Sequence, residues 1–116
     1  MPHAGDVTWA EDIDAAVTVL DAQGVITYMN RRSQEVYAAE GGAALVGKNA
    51  FDCHPKPARA KLQAILETRR PNHYTIRKRG QKKIIHQLPR LRDGVLVGVV
   101  EISVPIPDEM AHFDRK

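Results

Sequence analysis

The pattern of apolar and polar residues along the chain predicts five β-strands. Each apolar run is rich in Val, Ile, Leu or aromatic residues and follows a glycine-bearing turn or a proline stop. These runs are residues 16–20, 25–29, 73–79, 82–92 and 95–104. Gly24 and the Asp93-Gly94 pair can supply the positive φ of short hairpin loops, so the sheet is expected to be antiparallel. Pro89 is awkward in an inner strand and is expected to mark a bulge or the end of pairing.

Between the second and third predicted strands, the sequence favours short helices. Asn30 is a suitable N-cap for a helix that runs from Arg31 to about Glu40, where Gly41-Gly42 ends it. Residues 43–53 are interrupted by a glycine and predict one or two single helical turns. The middle of the chain is therefore expected to be a run of helical pieces.

An amphipathic helix is predicted after these turns, and a cysteine–histidine pair precedes it. Its apolar positions, at helical spacing between charged residues, are Ala58, Leu62, Ile65 and Leu66. Pro57 suits the first turn of this helix, and Pro55 discourages a helical path through the preceding residues. His54 is thus expected on a constrained bend at the entrance to the apolar region that the helix covers. A histidine held beside an apolar core is a candidate ligand.

Composition narrows the class of protein. The chain has 116 residues, which is enough for one domain with a single core. The sequence shows neither a membrane-spanning apolar segment of about 18 residues nor a signal peptide, so a soluble, cytoplasmic protein is expected. One cysteine cannot form an internal disulfide, which fits a reducing compartment. The net charge of +3 is mildly basic and would suit an acidic partner or aid solubility.

The N-terminal segment predicts a short helix and a contact with a second copy. Trp9 and Ile13 are spaced so that they share one helix face. Covering that apolar stripe with a second copy is the simplest way to remove it from water, so a homodimer is expected.

The order of two strands, short helices and three strands resembles the PAS domain family. The segments that carry the resemblance are DAAVTVLDAQGVITYMNRRSQEVY, GKNAFDCHP and LRDGVLVGVVEISV, and it covers about residues 12–105 of a single domain spanning 1–116. It implies an α+β fold in which short helices pack on one face of a five-stranded antiparallel sheet. It also implies a sensory module, without catalytic activity, that signals to an unidentified partner.

The CHP turn is similar to that of a subgroup of PAS modules, some of which accompany haemerythrin-like domains. It also resembles the haem-binding PAS modules of carbon-monoxide-responsive regulators. In those modules the histidine of the turn is the axial iron ligand, and this role maps onto His54. Their opposite ligand is a methionine on the following strand, which is absent here, so His73, Tyr74 or His86 would serve or the iron would be five-coordinate. The resemblance implies haem b and the sensing of a diatomic gas or redox state.

A haem site also needs an apolar slot beside a fixed imidazole. The predicted slot residues are Leu62, Ile65 and Leu66 on the helix and Ile84, Leu88, Leu96, Val100 and Ile102 on the strands. Two other functions stay open. One is a ligand-free PAS module for dimerisation or partner docking, and the other is a PAS pocket for a small organic metabolite.

The cysteine, the histidines and the basic residues also suggest other chemistry. Cys53 fits a thiolate ligand of haem or a small buried residue better than a nucleophile, because no orienting group accompanies it. His54, His73 and His86 would suit a non-haem metal, but their spacing matches no compact ligand motif. The basic residues at 69–70, 77–79 and 82–83 fit a solvated face better than a nucleic-acid groove, since only Tyr74 is available to stack on a base.

Overall fold

The computed structural model describes residues 8–53 and 56–116, which form an antiparallel sheet with helices on one face. The strands are β1 (Ala16–Asp21), β2 (Ile26–Met29), β3 (Asn72–Lys78), β4 (Gln81–Arg92) and β5 (Val95–Ile106). The helices are α1 (Thr8–Asp12), α2 (Arg31–Val36), α3 (Ala50–Cys53) and α4 (Lys56–Thr68), with 3-10 turns at Ala38–Glu40 and Gly42–Leu45. The strand order is β2-β1-β5-β4-β3. The predicted five-stranded antiparallel sheet is confirmed, and every paired strand runs antiparallel.

Two-residue turns join the last three strands. The turn residues Arg79-Gly80 have φ of 52° and 80°, and Asp93-Gly94 have φ of 52° and 79°. Positive φ at both central positions is the type I′ geometry, whose twist matches that of the flanking strands. Short-range turn chemistry therefore sets the β3–β4 and β4–β5 hairpins. In contrast, no short turn sets the pairing of β1 with β5, because these two strands lie near opposite ends of the chain.

Pro89 lies where the pairing of β4 becomes one-sided. The last β3–β4 pair is Asn72 with Gln87, so Pro89 faces only Val99 of β5. The β4–β5 register then shifts between Arg90 and Leu91. This agrees with the expected end of pairing or bulge near the proline.

Asn30 is a buried junction between three parts of the fold. Its Oδ1 accepts hydrogen bonds from the backbone N–H groups of Ser33 and Val17, both at 2.9 Å. Its Nδ2 donates to the carbonyl oxygens of Ala10 at 2.7 Å and Ala15 at 2.9 Å. The side chain is 0% exposed. Asn30 therefore caps α2 as predicted, and it also ties α1 and the start of β1 to that cap.

The helix predicted from Arg31 to Glu40 is divided in two. α2 ends at Val36, Tyr37 has φ −101° and ψ 23°, and a 3-10 turn follows. The backbone turns at Tyr37, whose side chain contacts β5 (below). The single turns predicted within residues 43–53 are present as the second 3-10 turn and α3.

α4 is amphipathic as predicted. Leu62 and Ile65 are buried, Leu66 is half-buried, and the positions between them are exposed. The buried cluster consists of Leu20, Ile26, Met29, Leu45, Ala50, Leu62, Ile65 and Val99. The core therefore lies between α4, the short helices and the inner face of the sheet.

The segment before α3 protects the outer edge of β2. The N–H of Ile26 donates to the Lys48 carbonyl at 2.9 Å, and the N–H of Gly47 donates to the Ile26 carbonyl at 2.7 Å. These bonds occupy backbone groups that an edge strand otherwise leaves open to aggregation.

The structure changes the prediction for the N-terminal helix. α1 ends at Asp12, so Ile13 follows the helix and does not share its face with Trp9, which is exposed. His54 and Pro55 lie outside the described residues, as does the side chain of Cys53. Among the described residues, no helix has the length and apolar character needed to cross a membrane.

Candidate functional site: a cavity between sheet and helices

A cavity of about 660 Å³ lies between the inner face of the sheet and the helices. In β1, β4 and β5 the residues that line it alternate along the strand, as the two-residue period of a β-strand requires. The lining residues contributed by the five strands are Thr18, Leu20, Ile26, Met29, Asn72, His73, Tyr74, Ile76, Lys78, Lys83, Ile85, Gln87, Val99, Glu101 and Ser103. From the helical layer they include Val36, Tyr37, Leu45, Ala50, Pro57, Lys61 and Leu62. The walls are mainly apolar and carry a few polar groups, as is typical of small-molecule sites.

A chain of hydrogen bonds crosses the floor of the cavity. Glu101 Oε1 accepts from the Tyr37 hydroxyl at 3.0 Å, and Glu101 Oε2 accepts from Gln87 Nε2 at 2.8 Å. Gln87 Oε1 in turn accepts from Asn72 Nδ2 at 2.9 Å. A carboxylate has about four acceptor positions. Glu101 is therefore held in place by two donors and retains capacity for a donor on a ligand.

The tyrosines near Glu101 stay protonated at neutral pH. Burial, followed by the charge of Glu101 and its hydrogen bond, raises the pKa of Tyr37 well above its usual range. Burial and then the charge of Glu101 also raise the pKa of Tyr74. Both hydroxyls are consequently neutral hydrogen-bonding groups in the cavity wall.

Cations border the other end of the cavity. Lys78 and Lys83 line it and also line an adjoining groove of about 600 Å³, to which Arg32, Arg79, Glu35 and Glu40 contribute as well. Burial, followed by the charges of Lys78 and Arg32, lowers the pKa of Lys83. Lys83 precedes Gln87 on the same strand by about 13 Å, at about 3.3 Å per residue. The cavity therefore has Glu101 at one end and, at the other, two lysines with Glu40 near them.

The structure separates the sequence-predicted site residues between two faces. Leu62 lines the cavity, Ile65 is buried in the core cluster and Leu66 packs against that cluster. Ile84, His86 and Leu88 alternate with the cavity residues of β4 and lie on the outer face. Val100 and Ile102 of β5 lie on the same outer face, opposite Leu88 and His86. Leu96, which pairs with Leu91, is not among the cavity residues either. The expectation that these strand residues form the pocket slot is therefore corrected. Alternate residues of a strand lie on opposite faces of the sheet, and these strands have apolar residues at both odd and even positions.

Two of the three candidate histidines meet on the outer face. His73 and His86 are paired across β3 and β4, with 2.8 Å between their Nδ1 atoms and 5.0 Å between ring centroids. His73 also contributes to the cavity wall, between Asn72 and Tyr74. Among the described residues, no group of three or more His, Cys, Asp or Glu side chains is placed to hold a metal. The third histidine, His54, lies outside those residues, so its role as an iron ligand stays a prediction.

Sequence reasoning missed the polar residues of the cavity. Tyr37, Gln87 and Glu101 were not candidates, because each lies far from the others along the chain. One signal was present: Glu101 is the only charged residue in the apolar run of β5. A charge within an otherwise apolar strand needs a partner, and here Tyr37 and Gln87 are those partners.

A family comparison decides the class of the fold. Residues 10–109 match the model of the PAS_4 family, described as the PAS fold. The chain belongs to the PAS family. This confirms the resemblance that the sequence carries, although the match does not distinguish the CHP-containing subgroup. None of the curated proteins matches this PAS chain.

Solved PAS-like structures overlay closely on the chain at low sequence identity. The Aer2 receptor of Vibrio cholerae, described as a dual PAS-heme oxygen sensor, has a TM-score of 0.62 at 20% identity, covering 80% of this chain and 95% of that chain. A sensory box sensor histidine kinase of the same organism has a TM-score of 0.63 at 13% identity, with coverage of 85% and 87%. VqmA, from Vibrio cholerae, in a structure bound to DPO, has a TM-score of 0.69 at 11% identity, with coverage of 90% and 58%. At these identities the likeness shows the fold alone.

Proposed function

We propose that this PAS chain is a non-enzymatic sensory module that binds a small organic molecule in its cavity and signals to a partner. The single observation that carries the proposal is the 660 Å³ cavity with Glu101 held between Tyr37 and Gln87 on its floor. A carboxylate that is held in one orientation in a cavity and can accept a further hydrogen bond is suited to bind an N–H or O–H group of a ligand. The binding of DPO by VqmA, a protein of the same fold, supports a small organic ligand.

The two ends of the cavity define the ligand class. A donor on the ligand faces Glu101, an aromatic or aliphatic body contacts Ile85 and Leu62, and an acidic substituent lies near Lys78 and Lys83. An anion at that end would offset the repulsion among the cations and return the pKa of Lys83 toward its usual value. The proposed ligand is an amphipathic organic acid that also carries a hydrogen-bond donor.

The dye 8-anilinonaphthalene-1-sulfonate tests this class directly, since it combines an N–H donor, an aromatic body and an anion. We expect saturable fluorescence enhancement with one dye per chain. Val36→Phe, which places a larger side chain in the cavity wall, should weaken binding about tenfold or more, because bound dye and side chain compete for one volume. Glu101→Gln should weaken it less, since one acceptor oxygen is lost.

Val104→Phe is the matched control, because Val104 is half-buried on the outer face of β5. It should leave dye affinity unchanged. Equal weakening by both phenylalanine variants, or no effect of Val36→Phe in a folded protein, would contradict binding in the cavity. The ligand-free interaction module would then be the better account.

Haem b is the second candidate, and the CHP turn favours it. His54 shortly precedes Pro57, a residue of the cavity wall, and Aer2, which has the same fold, is described as a PAS-heme sensor. The described residues fit haem poorly, since His86 lies on the outer face and the ring of His73 bonds to it. Ligation therefore depends on His54. A sharp Soret band on adding haemin, lost in His54→Ala, would support this candidate and gas or redox sensing; absence of that band would reject it.

The proposed output is contact with another protein. Sensor histidine kinases share the fold, which supports a signalling partner or a second copy of the chain. Exposed Trp9 and the half-buried outer face of β5 are the surfaces proposed for the homodimer. Sedimentation should show a dimer that Trp9→Ala weakens; a monomer at high concentration would reject it. A cytoplasmic location stays a prediction of the sequence.

A further inference from the structure

The cross-strand pair His73–His86 is placed like two ligands of one metal ion. The pair lies between edge strand β3 and β4, with His73 exposed and His86 half-buried. By strand alternation the pair is on the outer face, although His73 also borders the cavity. Its Nδ1 atoms are 2.8 Å apart, and the ring planes meet at 71°. Solvent therefore reaches the site from the edge of the sheet.

The separation of the two nitrogens is compatible with their binding one metal ion. Metal–imidazole bonds are about 2.0 Å long. Two such bonds at a right angle put the nitrogens about 2.8 Å apart, whereas a tetrahedral angle puts them about 3.3 Å apart. The observed 2.8 Å is the length of a hydrogen bond between the rings, and it also matches adjacent positions of a square-planar or tetragonal ion, a geometry that Cu²⁺ and Ni²⁺ adopt. We propose that His73 and His86 form a bidentate Cu²⁺ site, with water in the remaining positions.

The backbone holds this site in place before any ion binds. The flanking pairs Asn72–Gln87 and Tyr74–Ile85 continue the same antiparallel register on both sides of the histidines. Ordering the two ligands therefore costs little additional conformational entropy.

The surroundings do not oppose a cation. The outer-face neighbours by register are Thr75, Ile84, Leu88 and Ile102, all uncharged. The hydrogen bond between the rings needs a proton on one Nδ1, while metal binding uses both Nδ1 lone pairs. Binding therefore moves that proton to Nε2, and acid weakens binding because protonated imidazole is no ligand.

The test is calorimetric titration of Cu²⁺ into the full chain carrying His3→Ala and Cys53→Ser. These background changes remove an N-terminal imidazole and a thiol that would bind or reduce the ion. We expect one ion per chain, electron paramagnetic resonance coupling to two imidazole nitrogens, and affinity in the order Cu²⁺, Ni²⁺, Zn²⁺. His73→Ala and His86→Ala should each lower Cu²⁺ affinity by about tenfold or more, and His73→Gln should do the same.

His54→Ala and His112→Ala are the matched controls, because neither residue belongs to the pair, and both should leave the affinity unchanged. Circular dichroism verifies that each variant is folded. The proposal is overturned if His73→Ala binds Cu²⁺ as tightly as its background, if Zn²⁺ binds more tightly than Cu²⁺, or if one ion binds per two chains. None of these outcomes depends on whether the cavity binds a small molecule.

Discussion

On the inner face of the sheet, Ile85 and Gln87 lie beneath helices and line the cavity; on the outer face, Ile84 and His86 of the same strand are half-exposed. The composition of the two faces is similar, since each carries aliphatic side chains and a few polar ones. The two faces differ in that helices pack on the inner face and leave the outer face open to solvent. The inner polar groups are hydrogen-bonded to one another across three strands and the turn at Tyr37, whereas the two histidines of the outer pair, His73–His86, are hydrogen-bonded within one hairpin.

The comparison shows that the helical layer determines which side of a strand becomes a site. A side chain under that layer loses water and must find partners, as Glu101 does with Tyr37 and Gln87. A side chain on the outer face keeps contact with water and stays available to ions or other proteins. The following variants test this difference, in order of decreasing expected effect.

Gly98→Ala should have the largest effect, because β5 at this point supports both faces. Gly98 has φ +156°, and an added Cβ would overlap the carbonyl oxygen of Leu20 in the neighbouring strand. We expect a loss of more than about 3 kcal/mol in the free energy of unfolding, or failure to fold. Gly94→Ala is the control: its φ is +79° but no atom lies within 4 Å of the added carbon, so the loss should be about 1–2 kcal/mol. Equal losses in urea unfolding would show that the close approach of β1 and β5 is unimportant.

Adjacent isoleucines of β4 compare the faces most directly. Ile85 is 6% exposed under the helices, so Ile85→Ala should cost about 2–4 kcal/mol. Ile84 is half-buried on the outer face, and Ile84→Ala should cost about 1 kcal/mol. Denaturant unfolding measures both values. A larger cost for Ile84→Ala would mean that another protein surface, such as a second copy, covers the outer face.

Two tyrosine hydroxyls allow the same comparison for a polar group, with a smaller expected loss of stability. Tyr37→Phe removes the donor to Glu101 in the cavity and should cost about 1 kcal/mol. Tyr28→Phe removes the donor to Glu11 at the opposite side, where water can replace it, and should cost about 0.5 kcal/mol. A double-mutant cycle of Tyr37→Phe with Glu101→Gln should show coupling between the two sites. Additive effects would argue against the hydrogen bond.

Alkaline pH should give the smallest effect. Burial, then the hydrogen bond and charge of Glu11, raise the pKa of Tyr28 from 10.0 to about 12. The folded protein therefore holds this proton more tightly than the unfolded chain does. That stabilisation is complete below pH 10 and is lost as the pH rises through about 12. In urea unfolding between these values, Tyr28→Phe should lose stability less steeply than the wild-type protein; an unchanged slope would contradict the raised pKa.

Local sequence signals predicted most of the secondary structure. The turns at Gly24 and Gly94, the cap at Asn30 and the spacing of Leu62 and Ile65 each act through neighbouring residues, and the structure confirms all of them. The helix predicted to run from Arg31 to Glu40 is the exception. It divides at Tyr37, whose side chain bonds to Glu101 in a distant strand.

The sequence by itself determined the five strands, the helical middle segment and the family, because β-propensity, turn chemistry and helical periodicity are properties of short segments. Only the tertiary structure decided which face of each strand is covered. That choice placed Glu101 beside Tyr37 and Gln87, and it moved Ile84, His86 and Leu88 away from the cavity. The reason is that a strand with apolar residues at both parities has no preferred face until the helices pack on one side.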